Sequence, residues 1–235
     1  MISAGRIYIT TNLSYTPVVD LKASAVILAG GLSSRYTSEN GLALLGGRPL
    51  LAYVVDAVKP LVGEVLVVVK TKEQAEAYGQ ALDGVDVVMD VYKEACPLVG
   101  ALTGFTVADG DYTLLLACDT PFVSRDVLWL LLEMAPGVDA VIPRWPNGYI
   151  EPLQAVYHTK TAEKAAQKTI RKEERSMNAM IKNLKRVRYV STVALKQVDP
   201  KLKTFTNLNT LIEFRKFNIS HSSKQFLQKP QPHEK

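Results

Sequence analysis

The chain alternates short, wholly apolar runs with longer segments whose apolar residues recur every three or four positions. Residues 25–28 (AVIL), 65–69 (VLVVV), 85–89, 112–117 (YTLLLA), 138–142, 152–157 and 187–190 are short and rich in β-branched residues, which predicts strands, several of them buried on both faces. Between them, residues 49–58, 72–81, 97–107, 124–135, 159–168 and 177–184 predict helices, and a last one begins at 210–216. The first carries Pro49 in its opening turn and an apolar face of Leu50, Leu51, Val54, Val55 and Val58. Ser124 stands where an N-cap is needed. Strands and helices in this alternation imply an α/β fold: a doubly wound, mostly parallel sheet with helices on both faces. The chain has 235 residues, and no Gly/Ser/Pro-rich linker divides its middle. One domain is therefore expected over residues 23–217. An extension precedes it at 1–22, in which Ile7, Tyr8 and Ile9 could pair as an edge strand, and a polar tail read as disordered follows at 218–235.

In sheets of this kind ligands bind beyond the carboxyl ends of the strands. Gly30, Asp90 and Asp119 all fall at predicted carboxyl ends, so they are expected to share one site. Gly30 and Gly31 remove two consecutive side chains where the first strand stops, which allows a sharp turn and close approach to a ligand. Ser33, Ser34 and Arg35 follow, and exposed N–H groups, hydroxyls and a guanidinium together make a seat for polyphosphate. Neither a GxxxxGK[ST] loop nor a GxGxxG turn is present, so this is not a P-loop or a dinucleotide fingerprint. Asp119 ends a buried strand and precedes Thr120-Pro121, which places a carboxylate to bind a hard cation such as Mg²⁺. The competing reading is an Asx turn that merely caps the next element. Asp90 taken alone reads as a loop residue.

Composition narrows the partners. A net charge of +5 suits anionic ligands. No basic stripe is interleaved with aromatics, so small anions rather than nucleic acid are expected. The Lys and Arg residues between 160 and 188 sit among Glu at helical spacing, which is the pattern of a solvated face. Cys96 and Cys118 alone make neither a disulfide framework nor a zinc site. The strongest apolar run, 127–132, is cut by Glu133, and the first 24 residues lack the order of a signal peptide. The expectation is a cytoplasmic protein with no membrane partner.

The pattern LAGG-x-S-x-R followed by GG-R-PLL resembles the nucleotidyltransferases that join a nucleotide to a phosphorylated acceptor, and among them the molybdenum cofactor guanylyltransferases, the MobA family. The likeness runs from about residue 25 to 214 and includes ACDTP around Asp119, CPLVG from Cys96 to Gly100, EPL-x-AVY from Glu151 to Tyr157, ERS at Glu174–Ser176 and N-x-NT at Asn207–Thr210. It implies a nucleotide-diphospho-sugar-transferase-like fold. It further implies nucleotide contacts from Leu28, Ala29, Gly30, Gly31, Arg35, Asn40, Lys70, Asp90, Pro97, Leu98, Gly100 and Asp119, with Arg35 and Asp119 catalytic. Mg²⁺ would be held by Asp119 and Asn209, and Asp90 would read guanine. The acceptor would meet Glu151, Pro152, Gln154, Arg175 and Asn207. Gly100 would let its helix pack near the nucleotide.

The implied reaction is attack by the terminal phosphate of molybdopterin, or of the cofactor bearing its metal, on the α-phosphorus of GTP, with release of pyrophosphate. An ionised phosphate needs no general base. GTP and a molybdopterin-type acceptor are the implied partners, with other cofactor-biosynthesis proteins or molybdoenzymes left open. Three departures stand out: Cys96 where the family has Gly, the turn at Glu174–Ser176 without the family's preceding Gly, and Glu39-Asn40 where the family has Asp-Lys, so that a phosphate-binding cation is missing. Arg35, Arg48 and Lys93 are the cations that could replace it. Two other readings stay open: a relative acting on another acceptor (a sugar phosphate, phospholactate, cobinamide phosphate, or the pterin with a cytidylyl group), and a nucleotide-binding protein with weak turnover.

Overall fold

The structure, a computed structural model, describes residues 21–31, 40–90, 92 and 96–208. The expected edge strand at Ile7–Ile9, the Ser33–Arg35 seat, Glu39, Lys93, Asn209, the helix at 210–216 and the tail lie outside the described residues, as does the side chain of Asn40.

Strand β1 (Ala23–Leu28) leads to a 3-10 turn (Asn40–Leu42) and a short hairpin, β2 (Leu44–Leu45) and β3 (Arg48–Pro49). Then come α1 (Leu50–Val58), β4 (Glu64–Val69), α2 (Lys72–Ala81), β5 (Asp86–Met89), α3 (Pro97–Val107), β6 (Tyr112–Ala117) and α4 (Arg125–Glu133). The remainder is β7 (Ala140–Arg144), β8 (Gln154–His158), α5 (Thr159–Arg171), α6 (Met177–Ile181), β9 (Val187–Ser191), α7 (Thr192–Leu195) and a 3-10 turn (Lys203–Phe205). Seven strands form one sheet in the order β5-β4-β1-β6-β8-β7-β9. The pairs β5–β4, β4–β1, β1–β6 and β7–β9 are parallel. β8 is antiparallel to both of its neighbours. It follows β7 through a local return rather than a helical crossover, so it must run backwards.

The alternation along each strand sorts the core into two layers. Ala25, Ile27, Val65, Val67, Leu114 and Leu116 face one way, against α1 and α4. Val26, Leu66, Val68 and Leu115 face the other, against α3, α5 and α6. The contact between α3 and the sheet is closest at Gly104, where an added Cβ would lie 2.3 Å from Val26 Cγ1. Gly100, one turn earlier, has ordinary room, 3.4 Å from Leu28. Gly104, which the sequence reading did not single out, is where this helix comes closest to the sheet among its glycines.

Two other local expectations shift. Pro49 is the N-cap of α1 rather than part of its first turn. Ser124 is the N-cap of α4, but its side chain makes no cap bond; instead its backbone N–H donates to Thr204 Oγ1 at 3.1 Å. Among the described residues no helix is long and apolar enough to cross a membrane.

Candidate active site

The parallel strands β1, β4, β5 and β6 end on one side of the sheet, and a cleft of about 480 Å³ opens there. Gly30, Gly31, Lys70, Asp90 and Asp119, each just beyond a strand end, line it together. Leu28, Pro97 and Gly100 line it too, as do both cysteines. Ala29 is buried behind the wall, and its N–H makes the last ladder bond of β1, to Val68 O at 2.8 Å. Gly30 follows. A Cβ there would stand 3.0 Å from Lys70 N, so only glycine lets β1 end this close to β4. Leu98 is wholly buried in the α3 layer, and its side chain packs in the core rather than lining the cleft.

The end of β4 is fixed by a buried amide. Gln74 Oε1, in the first turn of α2, accepts from Lys70 N at 2.7 Å and from Thr71 N at 3.2 Å. Thr71 and Gln74 also form a reciprocal capping box. The Thr-x-x-Gln spacing was a readable signal for this anchor. Lys70 in turn reaches Asp90, with Nζ 3.3 Å from Oδ2, and donates to the Tyr92 carbonyl. Asp90 is only 9% exposed, so the ammonium compensates a charge that water barely reaches. Its other oxygen, Oδ1, accepts from Thr103 Oγ1 at 2.9 Å and from Tyr92 N at 3.1 Å. A carboxylate oxygen accepts about two hydrogen bonds. Oδ1 is thus saturated, and Oδ2 keeps room for one donor from the cleft.

Asp119 is held differently. The turn after β6 is closed by Thr120, whose hydroxyl donates to Ala117 O at 2.9 Å. The Asp119 carboxylate does not cap it, which removes the Asx-turn reading. Asp119 Oδ1 is buried and has no hydrogen-bond partner among the described residues. Burial raises its pKa above the ordinary carboxylate value. An orphaned hard oxygen at a strand end is a fitting donor for a divalent cation, which would restore the lost solvation. Beside it, Leu208 N donates to the Asp119 carbonyl at 2.9 Å, so the chain just before Asn209 lies at this strand end. Among the described residues no cluster of three or more His, Cys, Asp and Glu side chains is placed to hold a metal. Cys118, next to it, is buried, which pushes its thiol up to about 12. It stays a neutral thiol at physiological pH.

The residues expected to meet the acceptor are less tightly grouped. Glu151 is half-buried and accepts from Trp145 Nε1 at 2.6 Å; burial raises its pKa and the indole bond opposes that. Pro152 lines a neighbouring cleft and Leu153 the nucleotide cleft. Gln154 is buried in β8 opposite Leu116. Arg175 binds the carbonyls of Ile170 and Glu174. Asn207 is exposed.

Comparison with known proteins gives consistent matches. Residues 25–187 match the MobA-like NTP transferase domain. A probable molybdenum cofactor guanylyltransferase from Methanosarcina mazei is 30% identical over 208 residues, covering 86% of this chain and 92% of the relative. One from Bacillus cereus is 32% identical over 198 residues, covering 82% and 94%. Among solved structures, the molybdopterin-guanine dinucleotide biosynthesis protein A of Archaeoglobus fulgidus superposes with a TM-score of 0.72 at 25% identity, covering 85% of this chain and 99% of that one.

Proposed function

The chain belongs to the MobA-like NTP transferase family, and from that premise we propose that it transfers GMP from GTP to the terminal phosphate of a molybdopterin-type acceptor in the cytoplasm. The observation that carries this reading is the unpartnered Asp119 oxygen in the same cleft as the Gly30–Gly31 turn and the Lys70–Asp90 pair. A buried carboxylate oxygen left without a hydrogen bond costs roughly 1–3 kcal/mol of stability. Such a cost is offset when substrate and cation bind.

In this reading the guanine lies against Asp90. Oδ2 accepts one donor from the guanine Watson–Crick edge, where adenine presents an acceptor at N1. The N–H groups beyond the β1 ladder bond, at Gly30 and Gly31, lie against the phosphates. Asp119, with Asn209, would hold Mg²⁺, which would neutralise charge on the triphosphate. An oxygen of the acceptor's terminal phosphate forms the new bond to the α-phosphorus. The bond from that phosphorus to the bridging oxygen breaks, and its electron pair leaves with pyrophosphate. The acceptor phosphate enters already ionised, so no proton must be removed.

The test is pyrophosphate release from GTP by the purified protein, with and without molybdopterin, with and without EDTA. Release that needs both GTP and acceptor, and stops on chelation, supports the reading. Equal release with ATP, or with a sugar phosphate as acceptor, overturns it.

A further inference from the structure

A basic hollow of about 480 Å³ lies at the opposite end of the sheet from the nucleotide cleft. Strands β6 and β7 both run antiparallel to β8, so they point the same way. The starts of β7 and β9 therefore face away from the strand ends that carry Gly30, Asp90 and Asp119. Two walls meet there: the face of α5 with Lys164 and Lys168, and the turn before β9 with Lys185 and Arg186. Asp139, buried just before β7, builds the second wall. Its Oδ2 accepts from Lys185 N and from Arg186 N, both at 2.9 Å. Its own N–H donates to the Arg186 carbonyl at 2.7 Å, and its Oδ1 lies 3.5 Å from the Arg186 guanidinium. The acid is thus engaged in fixing the turn, and the turn presents its two cations toward α5.

The charges here do not form the balanced face that the spacing of Lys, Arg and Glu predicts. At the start of α5, Lys160 has a partner in Glu163 at 3.4 Å. Lys164, Lys168 and Lys185 have no ion pair among the described residues. Lys164 and Lys168 stand one helical turn apart, a spacing at which like charges repel. Four cations therefore surround one carboxylate that is already engaged, and a concave wall of one sign draws in anions. The neutral polar groups are spent. Thr161 Oγ1 bonds with His158 Nδ1 at 2.9 Å, and Asn183 Nδ2 donates to Thr169 Oγ1 at 3.0 Å and to Ala179 O at 3.1 Å. Among the described residues that line the hollow there is no aromatic side chain, and the one apolar residue, Ala165, is buried. A ring would find nothing to stack on, and the aromatic anchors of a protein interface are missing too.

We propose that this hollow binds a linear oligophosphate, a di- or triphosphate chain recognised by its charge density and not by an attached ring, at a site separate from the nucleotide cleft. Each phosphate group brings about 1.5–2 negative charges and three acceptor oxygens, where a peptide carboxylate brings one charge per residue. Lysine ammoniums on facing walls close on such a chain as point charges and need no fixed geometry. The transfer reaction proposed above releases one such anion, pyrophosphate, but the binding claim does not rest on that reading.

The experiment is an NMR titration of the isotope-labelled full chain with tripolyphosphate in EDTA at constant ionic strength. The Lys185 and Arg186 amides report the hollow, and the Gly30 and Gly31 amides report the nucleotide cleft. Tripolyphosphate should shift the Lys185 and Arg186 amides and bind there about tenfold or more tighter than inorganic phosphate. Lys164→Gln combined with Lys168→Gln should weaken binding at the hollow by about tenfold or more and leave the response at Gly30 and Gly31 unchanged. The same variant should melt no lower than the wild type, because it removes a like-charge pair. Lys164→Arg combined with Lys168→Arg should bind as the wild type. GTP should bind at the hollow no tighter than tripolyphosphate, because the guanosine meets no surface there. Shifts confined to Gly30 and Gly31, equal shifts with sodium chloride, or a Gln variant that binds as the wild type would overturn the proposal. So would tighter binding at the hollow by GTP or by hexaglutamate than by tripolyphosphate, which would make it a nucleoside or a peptide site. The hollow is read directly, so a failure of GTP transfer leaves this result standing.

Discussion

Lys70 and Asp90 end neighbouring strands twenty positions apart in the chain, and their side chains meet at 3.3 Å on the floor of the nucleotide cleft. The pair is not symmetrical toward a ligand. Asp90 Oδ1 is held by Thr103 and by the Tyr92 N–H, while Oδ2 faces Lys70. A base in the cleft therefore meets one defined acceptor.

That asymmetry predicts the result of Asp90→Asn. The Tyr92 N–H can only donate, so the amide oxygen must stay at the Oδ1 position and the NH₂ group must take the place of Oδ2. A cleft acceptor becomes a donor. GTP should lose affinity by about tenfold or more, as expected for a mispaired buried group, and ATP should lose none. Titration of both nucleotides on both proteins measures this; parallel losses would take guanine away from Asp90.

Asp119→Asn tests the orphaned carboxylate through stability. Its pKa is raised by burial, so the charged form is disfavoured in the fold. Protonation therefore stabilises the folded state, and that stability is lost as the pH rises through the folded-state pKa. Without metal, the stability gap between Asp119→Asn and the wild type should therefore widen from mildly acidic to neutral pH. Asp119→Asn should melt higher than the wild type at neutral pH by a few degrees, using about 2–4 °C per kcal/mol for a chain of this size. The wild type should gain stability with Mg²⁺ and GTP, and the variant should not. Thermal melts at two pH values decide it; a destabilised variant at neutral pH would make Asp119 a structural residue.

Gly104→Ala should be destabilising even though alanine favours helices. The new methyl would meet Val26 at 2.3 Å in a layer with no room to yield. Overpacking costs about 1–3 kcal/mol, against a helix gain of about 1. Chemical denaturation should show the loss, with little change in KM for GTP. A more stable variant would mean that α3 shifts freely on the sheet.

Asn40→Lys supplies the cation that the resemblance to the family implies at this position. We expect the wild type to bind GTP·Mg²⁺ ordinarily and to transfer slowly, and the substitution to raise the single-turnover rate by up to about 10²-fold. GTP affinity should change much less, because the gain belongs to the transition state. An unchanged rate beside a fully active wild type would show that Arg35, Arg48 or Lys93 already fills that place.

The apolar runs were enough to place the seven strands of the main sheet, because burial on one or both faces is written directly into which positions are hydrophobic. They also put Gly30, Asp90 and Asp119 at carboxyl ends, and a parallel sheet brings such ends together without further information. Strand direction was not legible. The residues of β8 alternate in the same way whether it runs up or down, and only its short link to β7 makes it antiparallel. Nor could the sequence say how each carboxylate is engaged. Asp90 and Asp119 look alike as strand-end acids. Asp90 takes a hydroxyl from the packed face of α3 on Oδ1 and an ammonium from the neighbouring strand end on Oδ2, whereas Asp119 keeps one buried oxygen without a partner among the described residues, its turn being closed by Thr120. Those partners lie 13 and 20 residues from Asp90. Local pattern fixes which residues are buried, but hydrogen bonds across such gaps exist only once helix and strand have docked. The basic hollow has the same origin: Lys164 and Lys168 come from α5, Lys185 and Arg186 from the turn before β9, and only the tertiary packing of the two gives them a common surface.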